Sequence, residues 1–491
     1  MVEIIEDRNR LNILLIVCDA MRAKNMSVYG YHKKTTPYIE ELGEEGIVFN
    51  DAYSCFNLTD PSFTSIMTGK YPISHGIIHH GKIPKEELKE YYRRGNRNLA
   101  EILKSNGYIT LALSWLERWH KDGFDYYEYY GGAKATYFKR IVKNFLNNLP
   151  KRFQDSVSQI IMRTIHSSKM LDAQTITNHA IKVINKNISK EKPFFLLVHY
   201  MDTHFPYNSP KGYEKKFLEE TPNNERIEDV LRKIKNPRWR NFLEKYLYNA
   251  KTTDEVVAKY DGAISYIDEN IGRLVKFLER KNIKENTIIV LTADHGESLT
   301  EHGVYFSHHC LYDELIHVPL IIYYPDLAKG KRVSGFVQHV DIVPTLLDIL
   351  GIRENFDFDG KTLVPLIKGE VKRVRFAIFA EESVAHRKRA IRTERWKYIC
   401  SVEGETVSGF ETKEILKMSN EVCRLCGFVH AQREELYDLK KDPNETSNII
   451  EKRSEVAQKM RDTLRMWEVY MKTKVEKEKI KRKVRKFQQK I

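Results

Sequence analysis

Five short runs, NILLIV at residues 12–17, YITLAL at 108–113, PFFLLVHY at 193–200, TIIVLTA at 287–293 and VPLIIYY at 318–324, contain no acidic residue, lysine or arginine. A strand that is apolar on both faces needs cover on both, so runs of this kind predict a mostly parallel central sheet sandwiched by helices. The intervening segments supply those helices. Thr36 followed by Pro37 opens one that Gly43 closes, and Asp172 precedes Ile176, Ala180, Ile181 and Ile184 at helical spacing. This pattern predicts an α/β catalytic domain over residues 1–370. Beyond it the segments shorten and alternate, as in RFAIFAEE and RAIRTERWKYI, which predicts a smaller C-terminal α+β domain over 371–470 and a basic helical tail over 471–491.

A hydrophobic content of 42% supports a sizeable core and excludes a wholly disordered chain. No apolar run approaches the roughly 18 uncharged residues of a membrane span, and the charged start MVEIIEDRNR does not read as a signal peptide, so a cytoplasmic protein is expected. The net charge of +14 does not point to nucleic acid, because the last twenty residues hold ten Lys/Arg against Glu476 and Glu478. That tail reads as a solvated helix or as a docking arm for a membrane surface or polyanion, which would make the protein peripheral to the membrane. Residues 134–169 carry eight Lys/Arg against Asp155 alone, with Ile141, Val142, Phe145, Leu146 and Leu149 on one stripe. They read as a surface helix packed on the body or as a lid over an anionic or lipid-linked substrate. Six cysteines in a chain this long do not form a secreted disulfide framework. Cys423 and Cys426 make one CxxC, which with Cys400 and His430 has the ligand types of a zinc site and without a second CxxC reads as a pair of thiols.

Ligands of open α/β sheets bind beyond the carboxyl ends of the strands, so the chemistry is sought there. The first strand ends in Cys18-Asp19, the third runs into Asp202-Thr203-His204, and the fourth ends in Asp294-His295-Gly296-Glu297. Two strands ending in acidic groups with an adjacent histidine predict a divalent metal held by carboxylate oxygens and an imidazole. In NLTDPSFTSIMTGKYP, Asp60 is expected to cap a helix whose first turn holds Pro61 and Ser62 and which Gly69 ends. Thr59 then stands just before a helix N-terminus, where free N–H groups and the dipole favour an anion. A hydroxyl beside a metal and an anion-binding helix end is equipment for attacking a phosphoryl or sulfuryl group.

With NILLIVCDAMRAKNMSVYGY, DPSFTSIMTGKYPISHG, NLAEILKSNGYITLAL, PFFLLVHYMDTHFPY, TADHGESLTEHG, LYDELIHVPLIIYYP, HVDIVPTLLDILGI, FDGKTL and ELYDLKKDPNETSNI in this order, the chain resembles the sulfatase family of the alkaline phosphatase superfamily. The resemblance implies an alkaline phosphatase-like fold and a metal site of Asp19, Asp294 and His295 completed by Thr59. It implies that His204 contacts the transferred group and that His308 or His309 assists the leaving group. His80 falls where related phosphoester hydrolases carry a ligand to the substrate oxygens, and Ser62 lies in the helix turn expected to hold them.

The departures from the pattern shape the chemistry. The residue that sulfatases oxidise to formylglycine is Thr59, whose secondary alcohol would give a ketone, and the signature arginine is Phe63. The paired aspartates after the first strand are Cys18-Asp19, and the Asp-Asn pair is Asp294-His295, whose imidazole favours Mn²⁺ or Zn²⁺ over Ca²⁺ or Mg²⁺. Threonine nucleophiles occur in relatives of similar pattern, nucleotide pyrophosphatase/phosphodiesterases and lipoteichoic acid synthases among them. The expected activity is metal-dependent hydrolysis of a small sulfuric or phosphoric ester, sugar- or lipid-linked, through a Thr59 nucleophile. The alternatives are a phosphotransferase acting on a sugar or lipid acceptor and a non-catalytic relative that binds an anionic glycan.

Overall fold

The computed structural model describes residues 11–81, 83–130, 171–188, 191–221, 224–234, 236–324, 326–353, 356–383, 387–402 and 434–488. The stretch 134–169, with its expected lid, and Cys423, Cys426 and His430 lie outside them.

The strands in chain order are β1 (Asn12–Cys18), β2 (Ile47–Phe49), β3 (Ala52–Tyr53), β4 (Ile109–Ser114), β5 (Tyr126–Tyr129), β6 (Phe194–Tyr200), β7 (Thr287–Ala293), β8 (Leu320–Tyr323), β9 (Lys331–Val333) and β10 (Val337–Gln338). All but β3 and β10, which pair with each other, form one eight-stranded sheet in the order β5-β4-β6-β1-β7-β8-β2-β9. The stretch from β5 to β7 is parallel throughout, and β8 alone runs against its neighbours β7 and β2. The expected α/β sandwich is therefore the observed one.

Alternation along β1 shows how the two layers form. Leu14, Ile16 and Cys18 enter one core with the helices Ala173–Asn187 and Thr253–Arg280, while Ile13, Leu15 and Val17 enter the other with the helices Leu99–Ser105 and Ile342–Leu350. Asp172 caps its helix as expected, accepting from the Thr175 amide at 2.9 Å. Gly43 does not end the helix that Pro37 opens, which continues to Glu45. Its lack of a side chain serves packing instead, since a Cβ there would come within 2.9 Å of the Val48 side chain.

The C-terminal region adds an antiparallel sheet of β11 (Ile378–Glu382), β12 (Lys388–Arg392), β13 (Trp396–Ser401) and β14 (Glu434–Asp438). The helix Ser454–Gln488 covers one face of it, burying Ala457, Met460 and Leu464, and runs on through residue 470 without a break. Its basic part is fastened to the body. Met471 and Val475 are buried, Lys474 pairs with Asp359 at 2.8 Å, and Glu478 pairs with the buried Lys70 at 3.3 Å. Among the described residues no helix is long and apolar enough to cross a membrane.

Candidate functional site

Parallel pairing of β1 with β7 sets Cys18 opposite Ala293, so the next residue of each strand, Asp19 and Asp294, emerges at the same edge. The chain turns sharply there, with Ala20 at φ +56°, and the Ala20 amide donates to Asp294 Oδ1 at 3.1 Å although the two residues are 274 apart. The His295 amide donates to the same oxygen at 2.8 Å. Asp294 Oδ2 and both oxygens of Asp19 are buried with no hydrogen-bond partner. His295 donates its Nδ1 proton to the Gly296 carbonyl at 2.8 Å, which turns Nε2 towards the acids, 3.4 Å from Asp294 Oδ2 and 3.8 Å from Asp19 Oδ1. Gly296 is required beneath it, because a Cβ there would lie 2.0 Å from the Glu314 carbonyl oxygen. Ligand atoms of Asp19, Asp294 and His295 lie within 4.8 Å of one another. Three orphaned carboxylate oxygens beside an imidazole nitrogen fit a divalent cation, since buried negative charge without a counter-charge is costly.

Thr59 opens the helix Thr59–Thr68, which Gly69 closes in the left-handed conformation. Its Oγ1 stands 3.5 Å from His295 Nε2 and is buried. The expected Asp60 cap is not made, because Leu58 occupies the N-cap and Asp60 lies inside the first turn. The Asp60 carboxylate instead contacts His80 Nδ1 at 2.8 Å, His120 Nε2 at 3.0 Å and the Gly81 amide at 2.8 Å. Inside the first turn the carboxylate is turned away from the helix amides, and three donors from other segments take it up instead. Ser62 turns away from the opening. Its hydroxyl donates to the Asp294 carbonyl at 2.5 Å and lies 3.0 Å from His339 Nδ1, so it braces the end of β7 from below rather than facing an ester oxygen.

The histidines separate by position. His308 lies against His295, with ring centroids 4.5 Å apart, and against His204 at 5.6 Å. His204 is half-buried and donates from Nδ1 to the Phe205 carbonyl at 2.9 Å. His309 faces Ser307, whose hydroxyl is 2.7 Å from its Nε2, and Trp239. Asn57, two residues before Thr59, donates to the carbonyls of His308 and Cys310 at 2.8 and 3.0 Å and ties their loop to the Thr59 helix. Of the residues singled out from the sequence, Asp19, Thr59, Asp294, His295, His204 and His308 converge, His80 is joined to them through Asp60, and Ser62 and His309 point elsewhere.

Burial opposes charge throughout, and neighbours decide the outcome. Asp19 is penalised by burial, but His204, His199 and His295 outweigh this and hold its pKa well below the usual range. Asp294 is raised by burial and by Asp19. His308 is lowered by burial and by the neighbouring His295 and His204. For His80, burial is outweighed by Asp60, with Asp19 and Asp294 adding to the rise. Cys18 belongs to the opposite core layer, and burial pushes its thiol up.

Three further groups complete the setting. His199 on β6 has Nε2 3.5 Å from Asp19 Oδ2 and Nδ1 3.2 Å from Ser114 Oγ. Its signal was present as the one imidazole in an otherwise apolar and aromatic run, PFFLLVHY. Glu297 is buried with neither oxygen partnered and lies 3.8 Å from His308 Nδ1; its signal was its place in the Asp294-His295-Gly296-Glu297 strand end. His120 sits in a short turn, and nothing in its flanking sequence marks it.

The family described as Sulfatase matches residues 11–352, and the C-terminal family described as N-sulphoglucosamine sulphohydrolase, C-terminal, matches residues 300–411. The chain is 28% identical over 418 residues to an ulvan-active sulfatase of Formosa agariphila, covering 82% of this chain and 75% of the relative. It is 24% identical to an N-acetylglucosamine-6-O-sulfatase of Bacteroides thetaiotaomicron, covering 94% and 86%. Among solved structures, a protein in complex with D-glucosamine-2-N,6-O-disulfate superposes with a TM-score of 0.66 at 22% identity, covering 96% of this chain and 98% of that one. The phosphonate monoester hydrolase of Agrobacterium radiobacter superposes with a TM-score of 0.67 at 19% identity, covering 95% and 96%. With a family match that spans most of the chain and takes in every strand end bearing the carboxylate and histidine cluster, this protein belongs to the sulfatase family and is an ester hydrolase.

Proposed function

We propose that the chain hydrolyses a sulfate or phosphate ester of a sugar through Thr59 as nucleophile, with Asp19, Asp294, His295 and the Thr59 oxygen holding a divalent cation. The observation that carries this reading is the approach of Thr59 Oγ1 to 3.5 Å from His295 Nε2, at the first residue of a helix whose N-terminus favours an anion. A bound cation supplies Lewis-acid charge that lowers the pKa of the hydroxyl, and an imidazole among the ligands favours Mn²⁺ or Zn²⁺. Thr59 releases its proton to solvent, and its oxygen bonds to sulfur or phosphorus as the bond to the leaving alcohol breaks. The departing oxygen takes up a proton from solvent relayed through His308, whose own pKa burial and the neighbouring imidazoles hold down, and His204 steadies the transferred group. Water then cleaves the Thr59 ester, regenerating the hydroxyl and releasing inorganic sulfate or phosphate.

A sugar ester is favoured by the relatives, which are named for ulvan and N-acetylglucosamine-6-O-sulfate. Phosphorus stays beside sulfur because the phosphonate monoester hydrolase shares the fold and Thr59 cannot become formylglycine. A lipid-linked substrate is favoured by one surface. The helix Ser454–Gln488 exposes Met466, Val469, Tyr470 and Ile480 among Lys472, Lys477 and Lys481, the make-up of a face that rests on an anionic membrane.

The test is a screen of aryl sulfate, phosphate and phosphonate esters with Mn²⁺, Zn²⁺, Mg²⁺ and Ca²⁺ supplied in turn, joined to intact-mass analysis during turnover. A sulfo- or phospho-adduct on the Thr59 peptide, absent from inactive Thr59→Ala, is the expected result. Parental turnover by Thr59→Ala with no adduct would mean that a water molecule is the nucleophile. Release of ester product without inorganic anion would assign transfer to an acceptor.

A further inference from the structure

Where the sulfatase signature carries arginine this chain has Phe63, whose ring packs against His199 at 4.8 Å and His120 at 5.7 Å between centroids. Among the described residues no lysine or arginine pairs with Asp19, Asp60 or Asp294, and the side chains that meet those carboxylates are histidines. We propose that Asp60 and His120 are positioning residues that hold His80 as the side chain gripping the ester oxygens. The proposal rests on the Thr59 reading above and on the place that the family resemblance gives His80, and names the two residues that hold it there.

The arrangement runs outward from the core. His120 is 3% exposed, Asp60 8% and His80 27%, so His80 alone opens to a ligand. His120 stacks on Trp119 with centroids 4.5 Å apart, and Trp119 Nε1 donates to Thr64 Oγ1 at 2.9 Å, which pins the pair to the helix that Thr59 opens. His120 Nε2 then fixes one Asp60 oxygen at 3.0 Å, and the Gly81 amide fixes the other at 2.8 Å. That second oxygen also meets His80 Nδ1 at 2.8 Å. With Nδ1 donating to Asp60, the imidazolium form of His80, which the Asp60 carboxylate favours over burial, presents Nε2–H as a donor of set direction, backed by a carboxylate one residue from the nucleophile.

The test measures binding of inorganic phosphate and inorganic sulfate to the metal-loaded full chain by calorimetry, together with kcat and KM for the ester found in the screen. His80→Gln, at a half-open position, and Asp60→Asn, of unchanged shape, should each weaken anion binding roughly ten- to a hundredfold, the scale of a lost charge-assisted hydrogen bond. Metal content and thermal midpoint should stay parental. The double variant should be no weaker than His80→Gln alone, because Asp60 acts through His80. His120→Gln should give a smaller loss that also disappears in the His80→Gln background. Parental anion affinity in His80→Gln, additive losses in the double variant, or no anion binding by the parent would overturn the proposal. If the Thr59 adduct forms and His80→Gln binds like the parent, this inference fails alone. If the calorimetric pattern holds without any ester turnover, the catalytic reading fails instead.

Discussion

Two parts of this molecule bury carboxylates, and they treat them in opposite ways. In the C-terminal sheet each acid has an internal cation or donor. Glu435 pairs with Lys388 at 2.7 Å and accepts from the hydroxyls of Tyr312 and Tyr437, while Lys397, fully buried, lies 2.8 Å from both Asp313 and Glu445. At the ends of β1 and β7, Asp19 and Asp294 leave three oxygens without hydrogen-bond partners, and the nitrogens around them are imidazoles, His199 Nε2 at 3.5 Å and His295 Nε2 at 3.4–3.8 Å. Charges paired within the fold serve cohesion. Charges left open at a strand end repel one another, a strain that a cation held between them would relieve.

Removing one acid from each region should therefore have opposite consequences. Asp294→Ala should lower turnover about a thousandfold or more, the scale of several kcal/mol of lost charge stabilisation, and release the metal. Its thermal midpoint in chelator should stay close to the parent's, since the repelling charge that goes offsets the two amide hydrogen bonds lost at Oδ1. Full metal occupancy by elemental analysis in this variant would break the contrast. Glu435→Ala should do the reverse, costing about 3–5 kcal/mol in denaturant unfolding by stranding Lys388, with kcat per folded molecule kept. Replacing Lys388 and Glu435 together by apolar residues should recover most of that loss, and failure to recover would show that the pair does more than neutralise itself.

Metal should stabilise only one region. A hundredfold excess of cation over its Kd should add about 2.7 kcal/mol to the parent and nothing to Asp294→Ala. Calorimetric melts with Mn²⁺ and with chelator read this directly. The smallest effect is expected from Thr59→Ser, which keeps a hydroxyl at the same place. It should retain the metal and the covalent adduct and lose less than about tenfold in kcat, roughly 1.4 kcal/mol. A loss as large as that of Thr59→Ala would show that the threonine methyl is needed to orient the oxygen.

How much of this could be read from the chain depended on range. NILLIV and TIIVLTA announce buried strands because uncharged residues on both faces leave no solvent side, and the observed β1 and β7 follow them closely. The edge strand Lys331–Val333 was invisible, since a short charged segment becomes a strand only when a neighbour is there to pair with it. Asp60 shows the same limit at one residue. Its place before Pro61 reads as a helix cap, yet His80 and His120 claim its carboxylate, and neither could be placed beside it from local pattern.

By itself the sequence determined the sandwich of helices on a buried sheet, the polar residues that follow its strands, and the threonine that cannot become an aldehyde. These follow from side-chain chemistry and from periodicity over a few residues. Only the tertiary structure decided that Asp19 and Asp294 meet, that His308 rather than His309 lies against His295, and that Ser62 faces the back of the β7 strand end. Each of these depends on strand register and loop direction between segments far apart in the chain. Both are set by the packing of two core layers on either side of the sheet, a sum over many contacts that no local run of residues contains.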